Sequence, residues 1–318
     1  MTLRVSTGPH ILTRENTQTL MLDVLIALAP TTAAGIYLFG LRAAWVLCAA
    51  VVTAVISEYL WQKLMKKQGT LNDLSAVVTG LIVGLNMPAG APLWMPAVGS
   101  VVAIILVKQL FGGVGHNFMN PAMVARAFLL ASWPARMTSF LLPQRLLGSS
   151  QAGFGVDMVS GATPLVPQKL GIGLDIPLSD LFLGNIPGSI GEVCKIAILI
   201  GFLYMLVVKV VSWHVPVFFL GTVALMTWLV GGDPLVALLS GGVLFGAVFM
   251  ATDYVTNPML KVGQSVFGVG CGLMVVIIRT WGAYPEGVTF AILFMNCLTP
   301  LIDRFTSRKV YGMVKKNA

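Results

Sequence analysis

Long apolar runs separated by short polar breaks constrain this chain more than any other feature. The run from Leu20 to Gly40 contains a single charged residue, Asp23. A lipid interior offers no partner for a backbone N–H or C=O, so a segment of this kind must fold as a helix that satisfies its own backbone. About 20 apolar residues cross a hydrocarbon core, fewer where a helix is broken and supported by its neighbours. On that scale the sequence predicts ten segments, over residues 20–40, 43–61, 73–87, 93–111, 119–133, 191–210, 213–231, 234–251, 262–280 and 286–301. Composition agrees: 57% of residues are hydrophobic and 10% charged, against about a quarter charged in soluble domains. The expected class is therefore an all-α polytopic membrane protein.

Several function classes fall away at once. The net charge of +8 belongs to a chain without a soluble basic domain, so it records membrane orientation rather than nucleic-acid binding. Cys48, Cys194, Cys271 and Cys297 form no Cys-x-x-Cys pair, and His10, His116 and His214 are equally scattered. A zinc or iron–sulfur centre built from this chain alone is not expected. Residues 1–19 are polar and the first apolar run is long enough to span, so the first helix is expected to act as its own insertion signal.

Lysine and arginine give the orientation. With the N-terminus in the cytoplasm, the inward loops and tail carry Arg4, Arg14, Lys63, Lys66, Lys67, Lys108, Lys209, Lys261, Arg304, Arg308, Lys309, Lys315 and Lys316. The outward side carries Arg42, Arg136, Arg145, Lys169 and Arg279. This bias places both termini inside and residues 134–190 outside. The organisation that follows is a cytoplasmic segment (1–19), a first transmembrane repeat (20–133), an extracytoplasmic loop (134–190), a second repeat (191–301) and a basic cytoplasmic tail (302–318). The halves look related, because Asn86-Met87-Pro88 and Ala251-Thr252-Asp253 interrupt corresponding segments. Five helices is an odd number, so two such units in one chain insert with opposite topologies and form an inverted repeat.

Three polar stretches carry the candidate chemistry. In the outer loop, Asp157-Met158-Val159-Ser160-Gly161-Ala162-Thr163 precedes Pro164. Gly161 and Ala162 leave the Thr163 hydroxyl open on one side, while Pro164 pushes Thr163 out of the α region. A held, accessible hydroxyl suits modification; the plain alternative is an ordinary Gly-Ala-Thr-Pro turn. In the second stretch, Asn117 and Asn120 lie three apart before Pro121 and direct amide groups toward a helix N-terminus. They suit a ring rich in carbonyls and nitrogens, although Asn120 equally suits a helix cap. In the third, Thr252 and Asp253 end segment eight. A carboxylate among apolar residues suggests an ion ligand, a proton relay or a cofactor contact, with a turn before Asn257-Pro258 as the alternative. Asp23, Glu58, Asp73, Arg126 and Glu286 are lesser candidates near segment ends.

These motifs converge on one family. The Asp-x-x-Ser-Gly-Ala-Thr pattern resembles the recognition sequence of bacterial flavin transferases, which join FMN through its phosphate to a threonine hydroxyl. Together with Gly115-His116-Asn117-Phe118-Met119-Asn120-Pro121-Ala122, Met250-Ala251-Thr252-Asp253-Tyr254-Val255-Thr256-Asn257-Pro258, Glu286-Gly287-Val288, Met295-Asn296-Cys297 and Pro300-Leu301-Ile302-Asp303-Arg304, it resembles the D subunits of Rnf electron-transport complexes. The B subunits of Na⁺-translocating NADH:quinone oxidoreductases are close relatives with a longer N-terminal extension, so the Rnf branch is expected. The resemblance implies ten helices in a fold similar to ammonium and urea transporters. It implies FMN on Thr163 outside the membrane, beside Asp157, Ser160, Gly161 and Ala162, and a second, noncovalent flavin (riboflavin) nearer the cytoplasm. It further implies a bacterial inner membrane, electron exchange between ferredoxin and NAD⁺, and movement of Na⁺ or H⁺. The implied partners are membrane iron–sulfur subunits, an extracytoplasmic FMN subunit, cytoplasmic ferredoxin and NAD subunits, and the flavin transferase. The rival reading is a small-solute channel or permease of inverted-repeat design, which has no use for a modified threonine.

Overall fold

The computed structural model describes residues 16–66, 71–143, 160–161, 177–282 and 286–307, and they are mostly helical. Helix α1 (Thr17–Phe39) begins at Asn16, whose Oδ1 accepts from the Thr17 N–H at 2.9 Å while Thr19 Oγ1 accepts from the Asn16 N–H at 2.9 Å. This reciprocal cap satisfies donors that a helix start leaves open. Gly40, with φ 72°, turns the chain into α2 (Leu41–Leu64). Helix α3 (Ser75–Leu85) follows a 3₁₀ turn (Leu71–Asp73), and α4 (Trp94–Val101) continues as a π-helical stretch (Val102–Gln109). Then come α5 (Pro121–Ser132) and the short α6 (Pro134–Met137).

Phe140–Leu141 (β1) and Ser160–Gly161 (β2) pair antiparallel, Phe140 opposite Gly161 and Leu141 opposite Ser160. This ribbon and an isolated antiparallel bridge between Pro88 and Ser189 depart from the all-α expectation. The second half contains α7 (Leu178–Leu183), α8 (Lys195–Val207), α9 (His214–Leu229), α10 (Pro234–Leu239), α11 (Val243–Phe245, running on as a π turn, Gly246–Met250), α12 (Lys261–Trp281) and α13 (Val288–Thr306).

Four of these helices, α1, α2, α12 and α13, are long and apolar enough to cross a membrane by themselves. The others are shorter than the predicted segments, and segment eight divides at Ser240-Gly241-Gly242 into α10 and α11. Helices do not associate in lipid by expelling water, so close backbone approach at small residues has to supply the contact. Gly201 of α8 lies against the Ala27 carbonyl of α1. Where α12 crosses α9, a Cβ on Gly268 would stand 2.8 Å from the Val215 carbonyl oxygen, and one on Gly272 2.7 Å from that of Phe219. The break after α3 is tied to the second half by its backbone. Leu85 O accepts from Gly191 N–H at 2.7 Å and Met87 O from Ile190 N–H at 3.1 Å. Carbonyls released at a buried helix end thus find partners.

Candidate functional site

Two polar assemblies sit inside this apolar bundle. The first surrounds a cavity of about 90 Å³, whose walls come from α1 (Met21, Val24), α3 (Ser75, Val78, Thr79, Ile82), Lys108, Val114, Asn117, the start of α5, Met205, Val211, Phe249 and residues 252–255. It therefore gathers Asn117, Asn120, Thr252 and Asp253 from separate parts of the sequence. Three glycines with positive φ, Gly112, Gly113 and Gly115, carry the chain from Lys108 to Asn117 through a path that side chains rarely adopt.

Asn120 caps α5. Its Oδ1 accepts from the Ala122 and Met123 N–H groups at 3.0 and 3.3 Å, and its Nδ2 donates to the Met250 carbonyl at 3.2 Å. The residue is thus a cap and also a tether to the end of α11. Asn117 differs: it is 9% exposed, and its Oδ1 is buried with no hydrogen-bond partner. A buried acceptor in this state costs about 1–3 kcal/mol unless a donor reaches it. Asn117 is among the residues that line the cavity, and its amide oxygen is an acceptor for a ligand donor that reaches it.

Asp253 lies just past the end of α11, lines the same cavity and also shapes its turn. Its Oδ2 accepts from Thr256 Oγ1 at 3.3 Å, and its backbone carbonyl from Asn257 N–H at 3.1 Å. Burial raises its carboxyl to about 6, against the opposing pull of the Val255 N–H and the Thr256 hydroxyl. Thr252 donates to the Val248 carbonyl at 2.6 Å. At the rim, Lys108 donates to Glu58 at 2.8 and 3.0 Å and to Ser75 Oγ at 2.6 Å, while Gln109 and Gln62 donate to Glu58 Oε1 at 2.8 and 3.2 Å. The charge bias counts Lys108 among the inward-facing loop cations, yet it is 2% exposed and its partner Glu58 is 0% exposed. Charge bias sees only residue type, so it cannot distinguish a loop lysine from a buried ion pair.

The second assembly was largely missed. Arg126 of α5 donates to Asn86 Oδ1 at 2.7 Å and is ion-paired with Glu286. Glu192 accepts the Ser189 N–H at 3.0 Å. Lys195 donates to the carbonyls of Glu192 and Gly241, and Arg279 to those of Ala237 and Ser240. Arg279, expected on the outward surface, is partly buried and holds the end of α10. The available signal was Glu192 and Lys195 at i and i+3 inside the start of an apolar segment.

Of the outer-loop candidates, Asp157, Ala162 and Thr163 lie outside the described residues. Ser160 and Gly161 belong to β2, described above by its backbone pairing. The cysteines Cys48, Cys194, Cys271 and Cys297 are free.

Comparison with known proteins places this arrangement. Residues 4–312 match the NQR2, RnfD, RnfE family. The chain is 47% identical over 319 residues to the D subunit of the Na⁺-translocating ferredoxin:NAD⁺ oxidoreductase complex of Acetobacterium woodii, covering 99% of this chain and 97% of that one. It is 39% identical to the D subunit of the proton-translocating ferredoxin:NAD⁺ oxidoreductase complex of Clostridium ljungdahlii, covering 97% and 96%. It is 40% identical to the D subunit of the ion-translocating oxidoreductase complex of Stutzerimonas stutzeri, covering 94% and 93%. On the extent of the family match and on these identities, the chain belongs to the NQR2, RnfD, RnfE family.

Proposed function

We propose that this chain is the membrane subunit of an ion-translocating ferredoxin:NAD⁺ oxidoreductase, carrying FMN esterified to Thr163 and a second, noncovalent flavin in the cavity beside Asn117. The observation that carries the second site is the unpartnered Asn117 Oδ1 in an apolar-walled cavity that also gathers Asn120, Thr252 and Asp253. A bound flavin supplies reversible electron transfer. The protein's part is to orient and exclude: Asn117 offers the acceptor, Asn120 fixes the start of α5 against Met250, and Met21, Val24, Ile82 and Phe249 keep water from the ring. Riboflavin is the simplest occupant, because the one cation lining this cavity among the described residues, Lys108, is already bonded to Glu58 and Ser75 and is not free to receive a phosphate.

Asp253, in the same wall, is placed to hold a cation. Any charge added to the cavity changes that cation's affinity, and by reciprocity the cation shifts the reduction potential of the group bearing the charge. The wider reading is a protein of ten spans in two inverted five-helix repeats, like ammonium and urea transporters, in a bacterial inner membrane with both termini cytoplasmic. Supporting it, α3 and α11 both stop inside the bundle, at Asn86 and Ala251, and the charge bias favours that orientation. The partners that follow are the iron–sulfur, FMN and nucleotide-binding subunits of the complex, with a flavin transferase during maturation.

The test uses the whole complex. Thr163→Ala should leave the complex assembled but its polypeptide without ultraviolet fluorescence in a denaturing gel. Fluorescence equal to wild type would refute the esterified flavin. Ferredoxin:NAD⁺ electron transfer and ion uptake, measured together in proteoliposomes, test the parent activity.

A further inference from the structure

The second polar assembly lies apart from the cavity, and the proposed function does not use it. Three helices connect the two. Ser75 and Asn86 stand at opposite ends of α3, Asn120 and Arg126 at the cap and middle of α5, and Met205 and Lys195 near opposite ends of α8. The first of each pair lines the cavity and the second belongs to the assembly. At about 1.5 Å of rise per residue, the assembly is displaced from the cavity by about 9–16 Å along the bundle. It also joins both halves of the chain, with Asn86 and Arg126 from the first and Glu192, Lys195, Arg279 and Glu286 from the second.

Two helix breaks end in this assembly, those of α3 and α10. A helix that stops inside an apolar bundle leaves its last carbonyls without backbone donors, at the negative end of its dipole. In transporters built from broken helices, such carbonyls coordinate the moving cation. Here cations of the protein itself occupy them. At the end of α10, Arg279 donates to Ala237 O at 2.8 Å and to Ser240 O at 3.1 Å, while Lys195, 0% exposed, donates to Gly241 O at 3.3 Å and to Glu192 O. At the end of α3, Arg126 donates to Asn86 Oδ1 at 2.7 Å, and Asn86 Nδ2 donates to Ile82 O at 2.7 Å. Glu286 pairs with Arg126, and both carboxylates attract Lys195 and Arg279, so three cations face two carboxylates. Packing is tight at this level: a Cβ on Gly242 would stand 3.0 Å from Glu192 Oε2, and one on Gly191 2.7 Å from Leu85 Cβ.

We propose that Arg126, Lys195 and Arg279 form a seal of tethered cations, which closes the seam between the two halves to mobile cations. Lys195 and Arg279 fill the carbonyl positions that a passing ion would need in place of its water. The excess of fixed positive charge repels that ion, as an arginine does in pores that exclude cations. The seal keeps an ion gradient across the membrane from running back through the broken helices. Glu192 and Glu286 hold the three cations in place and are not themselves a binding site.

The experiment measures passive sodium efflux from proteoliposomes holding the whole complex, without ferredoxin or NAD⁺, so that no electron flow contributes. Lys195→Gln and Arg279→Gln each remove one tethered cation and free its carbonyls, whereas Arg279→Lys keeps the charge. Efflux should rise about tenfold or more in the two Gln variants, the change produced by a barrier lowered by about 1.4 kcal/mol. It should stay at the wild-type rate in Arg279→Lys. Wild-type efflux from an assembled Gln variant would overturn the proposal and leave the assembly a structural clasp. An equal rise in Arg279→Lys would overturn it too, because damaged packing rather than lost charge would then be the cause. The two Gln changes lie on different helices, so if one variant fails to assemble the other decides. Neither flavin nor electron transfer is read, so the result is separable from the fate of the proposed function.

Discussion

Replacing Asn117 and Asn120 one at a time separates a ligand from a cap, because the structure assigns the two amides different work. Asn120→Leu removes the acceptor for two N–H groups at the start of α5 and the donor to Met250 O. Loss of an N-cap costs roughly 0.5–2 kcal/mol, and an orphaned buried carbonyl about 1–3 kcal/mol. Together these amount to roughly 2–4 kcal/mol, which at about 2–4 °C per kcal/mol lowers the unfolding midpoint by on the order of 10 °C. Asn117→Leu removes an amide whose oxygen bonds nothing in the protein, so without ligand it costs no stability and takes away an unsatisfied buried acceptor. Asn120→Ser is the control that retains a cap acceptor, adds no charge and loses the amide donor to Met250. The assay is thermal unfolding of the solubilised complex, with flavin released by mild denaturation and quantified by fluorescence. Asn117→Leu should keep its midpoint after flavin removal but lose extractable flavin, while Asn120→Leu loses stability first. Stoichiometric extractable flavin in Asn117→Leu would refute its role as a ligand. An equal loss of stability in both variants would refute the division of roles.

Two further outcomes follow from the same cavity wall. The folded chain holds a proton on Asp253 up to about pH 6, whereas the unfolded chain releases it near the ordinary aspartate value of about 4. Wild type should therefore lose stability relative to Asp253→Asn as pH rises from about 4 to about 6 and match it below that window; a pH-independent difference in midpoint would contradict this. If Asp253 also holds the transported cation, Asp253→Asn lowers ion uptake per electron in proteoliposomes above that pH, and unchanged uptake removes it from the path. Lys108→Met leaves the Glu58 charge uncompensated at 0% exposure, a loss of about 3–5 kcal/mol that Glu58→Leu/Lys108→Met should largely restore. A double variant no more stable than the single one would show that the ion pair is not the cause.

The sequence alone determined the helices, since in lipid an apolar run has no other way to satisfy its backbone. Predicted segments 20–40, 43–61 and 262–280 correspond to α1, α2 and α12. It also located the polar stretches around Asn117, Asn120 and Asp253, because amides and carboxylates stand out against an apolar background. What it could not determine was which polar groups meet. Arg126 reaches Asn86 across 40 positions and Glu286 across 160, and Asn120 reaches Met250 across 130. Helical periodicity reports only which face of one helix is apolar, while pairing depends on how helices cross and where they break. The crossings are fixed by local backbone approach at Gly201, Gly268 and Gly272, and the breaks by carbonyls at Leu85 and Met87 finding N–H groups at Gly191 and Ile190. Lys108 shows the difference most plainly. By residue type it is a loop charge, and only the tertiary structure, by burying it against Glu58 and Ser75, makes it part of the cavity wall.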